Sequence, residues 1–304
     1  MTFNTWIIAV DNRIADLLAA AATVPGEVHV AVLGDRDLAE ELARTDVADV
    51  LWFEPPAGSV VEEYAGQVAE AVAARKPDVV LTGPQDAARL IAGRLAAQLR
   101  TPLITSVQSI EADPPVATRL TVSGSVEQTV SASPLLAVLD SPGGAPEATD
   151  AAVTIDQIVL APGTTISMVS AVPRAAGADL STADRVVAVG RGLAAKTDLG
   201  LVRDLATALG AQVAGSLPLA EDLGWLDKDL CVGISGKQIS PALYLAVGIS
   251  GQMQHMAGVT RAQKVVAINN DPEALIFGKC DYGIVGDLYA VVPALVSALG
   301  EPRA

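Results

Sequence analysis

Residues 243–258, LYLAVGISGQMQHMAG, set an apolar strand pattern directly against a run of glycine and polar residues. LYLAV is typical of a buried strand, and the residues after it include one of the only two histidines in the chain, His255. Glycine permits close approach of a backbone, and amide and imidazole groups form hydrogen bonds. The stretch therefore predicts a parallel strand whose carboxyl end faces a ligand. Taken alone, His255 is also compatible with a histidine satisfied within the core.

Further apolar strand patterns in the second half end in the same kind of turn, at RVVAVGRGL, AQVAGS, LCVGISGK, KVVAINND and YGIVGDL. One glycine-rich turn is weak evidence, because such turns close most βα units. Several in one domain favour a dinucleotide or similar ligand over a purely structural explanation. GRGL resembles a phosphate-binding turn in which Arg191 supplies charge, although a surface arginine in a tight turn fits equally well.

Composition indicates an α/β protein long enough for two domains. The 304 residues are 51% hydrophobic but only 3% aromatic, so valine-rich strands and alanine-rich helices must fill the cores. A net charge of −15 disfavours nucleic acid and anionic lipid as partners. No apolar run approaches the ~20 residues of a membrane span, and MTFNTWIIAV is expected to be a first strand instead of a signal peptide. We therefore expect a cytoplasmic protein without membrane insertion.

The first half alternates strand and helix patterns, which predicts a parallel sheet. Helices are predicted over 59–76 and 86–99, among others. From about Ser106 the pattern changes, and TRLTVSG, EQTVSAS and LLAVLD are expected to be short strands appended to the sheet. A Pro, Gly and Ser-rich connector over about 160–180 separates a domain at 1–180 from a second at 181–304. In the second, LCVGIS is predicted to be a strand.

The sequence shows no residue pattern that predicts hydrolysis or metal binding. Neither a Ser-His-Asp arrangement, nor a paired carboxylate pattern, nor a second histidine near His255 is visible, and Cys231 and Cys280 have no metal-ligand spacing. A stand-alone NAD-dependent dehydrogenase remains an alternative, since GRGLAA could serve as its glycine-rich turn. That alternative lacks a candidate catalytic acid or base.

The run from Val232 to Pro293 resembles the α subunit of electron transfer flavoproteins. LYLAVGISG, QHMAG, INNDPEALIF and DYGIVGDL carry the resemblance, in order and with the family's spacing, and LTGPQDAARLIAGRLAAQL in the first half is also similar. The resemblance implies an N-terminal parallel-sheet α/β domain and a C-terminal doubly wound domain that binds FAD. It further implies a heterodimer with an electron transfer flavoprotein β subunit, which completes the site.

Matching the motif residue by residue implies roles in binding FAD. Arg191 would contact the phosphates, Ser216 would lie near the flavin, and His255 would place a donor or a positive charge at its pyrimidine end. Asn269, Asp287 and Leu288 would hold the adenosine end. The complete implied set is Arg191, Ser216, Val232, Gly233, Ile234, Ser235, Ser250, Gly251, Gln252, Met253, Gln254, His255, Asn269, Asp287 and Leu288.

Two positions depart from the family pattern. Leu217 stands where the family usually has an arginine over the flavin, and Ile234 replaces a glutamine, whereas Ser235 keeps the hydroxyl of the usual threonine. Loss of a cation makes each added electron less favourable, so we hypothesise a lower reduction potential.

Two functions are consistent with the resemblance. The first is an electron carrier without substrate chemistry of its own, exchanging electrons with partners such as an acyl-CoA-type dehydrogenase, a quinone oxidoreductase or a ferredoxin. The second is a redox-silent nucleotide-binding or structural subunit, which Leu217 and Ile234 favour. The joint presence of SGQMQH, INND and DYG argues against it.

Overall fold

The computed structural model describes residues 2–112, 114–121, 126–140, 143–163, 166, 180, 183–259 and 262–300. Contacts within the chain divide it into two compact units, Met1–Val172 and Pro173–Ala304. The predicted boundary near Leu180 adjoins segments outside the described residues, as does most of the predicted connector over 160–180, and both stay predictions.

The first unit is built on one sheet of nine strands in its described part, with the order β7-β6-β5-β8-β4-β1-β2-β3-β9. The strands pair in parallel except for β6 and β7, which join the edge in antiparallel fashion. The elements are β1 (Phe3–Ala9), α1 (Ala15–Ala22), β2 (Gly26–Leu33), α2 (Arg36–Leu42), β3 (Asp49–Phe53), α3 (Ala65–Ala74), β4 (Val79–Thr82), α4 (Asp86–Leu99), β5 (Leu103–Glu111), β6 (Val116–Thr121), β7 (Val126–Ser131), β8 (Leu135–Leu139) and β9 (Thr154–Ile158).

Both faces of this sheet are buried, which explains the unbroken apolar runs of its strands. In β1, Ile7 packs into one core cluster while Trp6 and Ile8 pack into the other, on the opposite face. Alternate side chains of a strand point to opposite faces, so a strand covered on both sides needs apolar residues throughout.

Two expectations for the first unit need correction, and strands β5 and β9 were missed. LLAVLD is not an appended strand, because β8 lies between β4 and β5, parallel to both and buried along its whole length. The predicted helix over 59–76 begins as a 3-10 turn, Val61–Tyr64, and becomes α-helical only in α3. Strand β5 was not predicted, since its register shifts between Ile104 and Val107 and its sequence mixes polar residues with apolar ones. The appended strands β6 and β7 and the helix over 86–99 are confirmed.

The second unit has a five-stranded parallel sheet with the order β11-β10-β12-β13-β14. Helices α5 and α7 pack against one core cluster. Short helix α6, the 3-10 turn Leu275–Gly278 and loop residues contribute to the cluster on the other face. The elements are β10 (Arg185–Val189), α5 (Leu199–Leu209), β11 (Gln212–Gly215), β12 (Leu243–Val247), α6 (Met253–Met256), β13 (Lys264–Asn269), β14 (Tyr282–Val285) and α7 (Leu288–Gly300).

The predicted strand LCVGIS is wrong. Residues 231 and 232 make only isolated bridges, from Cys231 to Gly215 and from Val232 to Lys237. The chain then turns at Gly233, whose φ of +146° is a conformation that side chains other than glycine rarely adopt. The segment is therefore a loop beyond the end of β11.

Within the described part of the chain, none of the helices is both long enough and apolar enough to span a bilayer.

Candidate functional site

The strand order of the second unit places a crevice between β10 and β12. With β10 first in sequence, the spatial order is 2-1-3-4-5, so the chain direction across the sheet reverses between these two neighbours. Ligands of open parallel sheets bind at such a switch point, beyond the carboxyl ends of the strands. A ligand site is therefore expected at the turns that follow β10 and β12.

These two turns pack directly on each other through glycine. A Cβ on Gly190 would lie 2.4 Å from the carbonyl oxygen of Gly248, and one on Gly192 would lie 2.7 Å from the Gly248 Cα. The Gly192 N–H donates to the Gly248 carbonyl at 3.1 Å. These glycines were predicted to serve the approach of a ligand. The structure shows that all three are already required by the contact between the turns.

A pocket of about 430 Å³ opens at this edge. It includes eleven of the fifteen site residues implied by sequence, namely Arg191, Ser216, Val232, Gly233, Ile234, Ser235, Ser250, Gln252, Gln254, His255 and Asn269. Its remaining lining residues are Gly190, Gly192, Leu217, Pro218, Cys231, Gly236, Gly248, Ile249, Asn270, Asp271 and Ala274. Residues far apart in sequence thus meet in one cavity of the size typical of cofactor sites.

The other four implied residues do not line this pocket. Gly251 packs against the backbone of Ile276, only 2.3 Å from where a Cβ would lie, and Met253 is exposed on α6. The Asp287 carboxylate accepts the Tyr289 N–H at the start of α7, and Leu288 is buried in the core below. Cofactor contacts from these four residues stay a prediction.

Tyr289 anchors the turn that carries Arg191. Its hydroxyl donates to Asp198 Oδ2 at 2.6 Å and accepts the Ala194 N–H at 2.8 Å. The hydrogen bond from Tyr289 lowers the pKa of Asp198, which keeps this carboxylate ionised as an acceptor. Arg191 itself is exposed and has no ion-pair partner within the described residues, so its guanidinium is available to an anion.

Ser216 brings an unsatisfied polar atom to the pocket. Its backbone is fully used, since its N–H donates to Val189 and its carbonyl accepts from Leu219. Its hydroxyl oxygen is buried and has no hydrogen-bond partner among the described residues. Buried polar groups are nearly always paired, so an unpaired hydroxyl on a pocket wall fits a site that binds a polar ligand.

His255 is buried, with 9% of its surface exposed, and lines the same pocket. Its Nε2 lies 2.5 Å from the hydroxyl of Tyr244, a residue that sequence reasoning missed. Its Nδ1 is buried and makes no hydrogen bond of standard geometry in the described structure, although the Val232 backbone interacts with the ring and favours its protonated form. Burial lowers the pKa of His255 to about 4, although the backbone of Val232 opposes this change. Near pH 7 the imidazole of the protein without ligand is therefore neutral, which favours the hydrogen-bond donor over the positive charge, the two roles considered from sequence.

The loop that follows Val232 is clamped to the region around α6. The Ile234 N–H donates to the Gln254 carbonyl at 2.8 Å, and a Cβ on Gly258 would lie 2.3 Å from the Gly233 nitrogen. This packing brings Ile234 and Ser235 to the pocket. Gly233 and Gly258 must be glycines because the two backbone segments touch there.

Asn269 joins the ends of two strands. Its side-chain Nδ2 donates to the Ile249 carbonyl at 2.9 Å, and its Oδ1 accepts the Asp271 N–H at 3.0 Å. Asn269 thus fixes the neighbouring backbone, and its predicted contact with the adenosine end of a cofactor stays a prediction. Asp271 and Asn270, which were not predicted, reach the pocket because of this turn.

The carboxyl edge of the first sheet shows weaker signs of a ligand site than that of the second sheet. Asp11, after β1, accepts hydrogen bonds from Arg13 Nη2 at 2.7 Å and Gln85 Nε2 at 3.0 Å. These side chains form hydrogen bonds with each other, unlike the Ser216 hydroxyl and the His255 Nδ1 of the second unit. The described residues also contain no group of three or more His, Cys, Asp or Glu arranged for a metal ion.

The fold and the site together define a two-unit α/β protein with a cofactor-sized pocket at the switch point of its second sheet. Comparison with known proteins gives the family. Residues 14–161 match the electron transfer flavoprotein domain, and residues 179–260 match the electron transfer flavoprotein FAD-binding domain. The chain belongs to the electron transfer flavoprotein family, as an α-type subunit with an FAD-binding domain.

Relatives support this over most of the sequence. The FixB protein of Escherichia coli strain IAI39 is 32% identical over 313 residues, covering 99% of this chain and 99% of that protein. The YdiR protein of Escherichia coli strain K12, named as an electron transfer flavoprotein subunit, is 37% identical over 255 residues, covering 79% of this chain and 80% of YdiR. Proteins of this family carry electrons, and their α subunits pair with β subunits.

The pocket fits FAD by its own chemistry. Arg191 and the turn of Gly190 and Gly192 suit a pyrophosphate, and the unpaired groups of Ser216 and His255 suit the polar edge of a flavin ring. The family resemblance and the FAD cofactor inferred from sequence are thus confirmed.

The lowered pKa of His255 predicts a specific pH dependence of stability. In the unfolded chain the imidazole takes up a proton near pH 6.5, but in the folded chain it does so only near pH 4. The unfolded state binds more protons within this window, so stability must fall as the pH falls. We expect the free energy of unfolding to drop by about 2 kcal/mol more between pH 7 and pH 5 in the wild type than in His255→Gln.

Urea denaturation of the full chain at both pH values measures this difference. Carboxyl groups titrate alike in the two proteins, so the comparison isolates His255. An equal loss in both proteins would contradict a neutral, buried imidazole.

Proposed function

We propose that this chain forms a heterodimer with an electron transfer flavoprotein β subunit and, through FAD held in the second unit, passes electrons between redox proteins in the cytoplasm. The partners proposed are a donor such as an acyl-CoA-type dehydrogenase or a ferredoxin, and an acceptor such as a quinone oxidoreductase. The observation that carries the proposal is the pocket between β10 and β12, with its unpaired Ser216 hydroxyl and His255 Nδ1. Bound FAD supplies the ring that takes up and releases electrons.

The ionisable groups of the pocket support a carrier without substrate chemistry of its own. Burial raises the pKa of the Cys231 thiol, which leaves it protonated and weakly nucleophilic. His255 has a pKa of about 4, and its Nε2 is already engaged by Tyr244, so it is a poor general base near pH 7. What these residues can do is bind, orient and shield a cofactor.

Apolar side chains beside the pocket support a partner subunit. Leu217 and Ile234 line the pocket, yet 37% and 57% of their surfaces are exposed, and Met253 on α6 is 47% exposed. Clustered exposed apolar residues commonly mark a surface that another protein covers. A β subunit seated here would shield these residues and exclude water from the flavin.

A redox-silent subunit is the second candidate, since Leu217 and Ile234 occupy positions where the family usually has polar side chains. Two features of the pocket favour the carrier. Ser216 keeps its unpaired hydroxyl, and Ser235 keeps a hydroxyl in the loop after Val232. Ser235 is exposed, whereas the buried and unpaired Ser216 hydroxyl costs about 1–3 kcal/mol, which a site without a ligand does not recover.

The absorption spectrum of the chain co-purified with a β subunit encoded beside it tests the proposal. We expect a bound flavin spectrum that bleaches on anaerobic addition of a reductant and returns with an electron acceptor. Extraction and counting of the flavin per heterodimer gives its stoichiometry. A folded heterodimer that stays colourless after incubation with FAD would favour the redox-silent subunit.

Leu217 offers a second test through the reduction potential. Leu217→Arg places a cation on the pocket wall, where it favours electron uptake. A unit charge a few Å away is worth ~1–4 kcal/mol at a protein surface. We therefore expect the midpoint potential of the bound FAD to rise by roughly 20–80 mV for a two-electron couple. Spectroelectrochemical titration of the heterodimer measures the shift.

Leu223→Arg is the matched control. Leu223 is 47% exposed in the same part of the second unit but does not line the pocket. Leu223→Arg adds the same charge to the chain, but outside the pocket lining. Its effect on the midpoint potential of the bound FAD should therefore be much smaller. Equal shifts in the two variants would mean that Leu217 has no special position toward the flavin.

A further inference from the structure

The buried pair of Tyr244 and His255 has a chemical consequence beyond the carrier function. Tyr244 lies on β12 and is fully buried in the core cluster beneath the pocket, and His255 lies on α6 at the pocket wall. The tyrosine hydroxyl and the histidine Nε2 are 2.5 Å apart, so one of the two donates a hydrogen bond to the other. The direction of that bond decides which ring nitrogen carries the proton.

The number of buried polar groups left unpaired depends on the direction of the hydrogen bond between Tyr244 and His255. If Nε2 donated, the tyrosine proton would need a second acceptor, and no other hydrogen bond of the Tyr244 hydroxyl exists among the described residues. Nδ1 would then be an unpaired lone pair as well. If the tyrosine donates, its proton is paired and only Nδ1 stays unpaired. Each unpaired buried polar group is destabilising, so donation by Tyr244 is favoured.

Protonation states agree with this direction. Full burial raises the pKa of the Tyr244 hydroxyl, so it keeps its proton. The low pKa of His255 keeps the imidazole neutral, and a neutral imidazole has one donor and one acceptor nitrogen. With Nε2 accepting, Nδ1 must carry the hydrogen. This N–H lies on the pocket wall and makes no hydrogen bond of standard geometry within the described residues, while the backbone of Val232 favours a proton on the ring.

We propose that Tyr244 is a positioning residue that holds His255 as the neutral tautomer protonated at Nδ1, so that the imidazole presents a hydrogen-bond donor to the cofactor. The flavin ring of FAD as the recipient rests on the proposed function, but the tautomer itself does not. The role of Tyr244 is to fix one orientation and one tautomer of the ring in advance. His255 then stabilises electron density on the cofactor through a dipole instead of a full charge.

Nitrogen NMR of the full chain labelled with ¹⁵N in the histidine rings tests the tautomer directly. The chain has only two histidines, so the signals of His255 are assigned by their loss in His255→Gln. The wild type should show a protonated Nδ1 and an unprotonated Nε2. A proton on Nε2, or on both nitrogens, near pH 7 would overturn the proposal without any need for a tyrosine variant.

Tyr244→Phe tests the role of the tyrosine. It keeps the buried ring and removes only the donor, so we expect signals of the tautomer protonated at Nε2 to emerge. In the flavin-loaded heterodimer the midpoint potential should shift downward, because the donor at Nδ1 is no longer fixed. Tyr64→Phe, which removes a hydroxyl from a buried tyrosine of the first unit, should leave both readouts unchanged.

The outcomes separate this proposal from the carrier function. An unchanged His255 signal in Tyr244→Phe would refute the positioning role whether or not FAD is bound. A wild-type chain with the expected tautomer but a colourless heterodimer would instead refute the carrier function alone.

Discussion

The contact between the two glycine turns at the ends of β10 and β12 is the constraint on which the site depends. Gly190 and Gly192 lie against Gly248 so closely that no side chain fits at any of the three positions. This contact closes the switch point of the sheet and directs Arg191 and Ser250 to the same cavity. The loop from Val232 to Gly236 adds its own backbone contacts near Gly258, and together these turns form the pocket wall.

The pocket lining carries few formal charges for a protein with a net charge of −15. Burial keeps the Cys231 thiol protonated and the His255 imidazole neutral, so Arg191 and Asp271 carry the formal charges among its lining residues. Recognition of an anionic cofactor then depends on Arg191, on backbone N–H groups and on fixed dipoles such as the one that Tyr244 imposes on His255. Such dipoles need no rearrangement when an electron arrives, which suits a carrier.

Sequence patterns predicted most of the fold, and the family resemblance implied eleven residues that meet in the pocket. The failures of these predictions have physical causes. β8 was misplaced because a continuous apolar run shows that a strand is buried but does not show which neighbours it pairs with. β5 was missed because its bulge breaks the alternation of residues. In the pocket, eleven of fifteen implied residues meet, but the partnership of Tyr244 with His255 spans a strand end and a helix. The one available signal was a tyrosine inside the buried run LYLAV, because a buried hydroxyl requires a partner. The charge of His255 could not be read from sequence, since it depends on burial.

Hydrogen–deuterium exchange of the heterodimer with and without FAD directly measures whether FAD binds at the carboxyl edge of the second sheet. We expect the amides of residues 190–192, 232–236 and 250–255 to exchange more slowly when FAD is bound, while peptides from the carboxyl edge of the first sheet, at residues 11–13 and 83–86, stay unchanged. Slower exchange confined to the first unit, with no change in those three segments, would contradict the account.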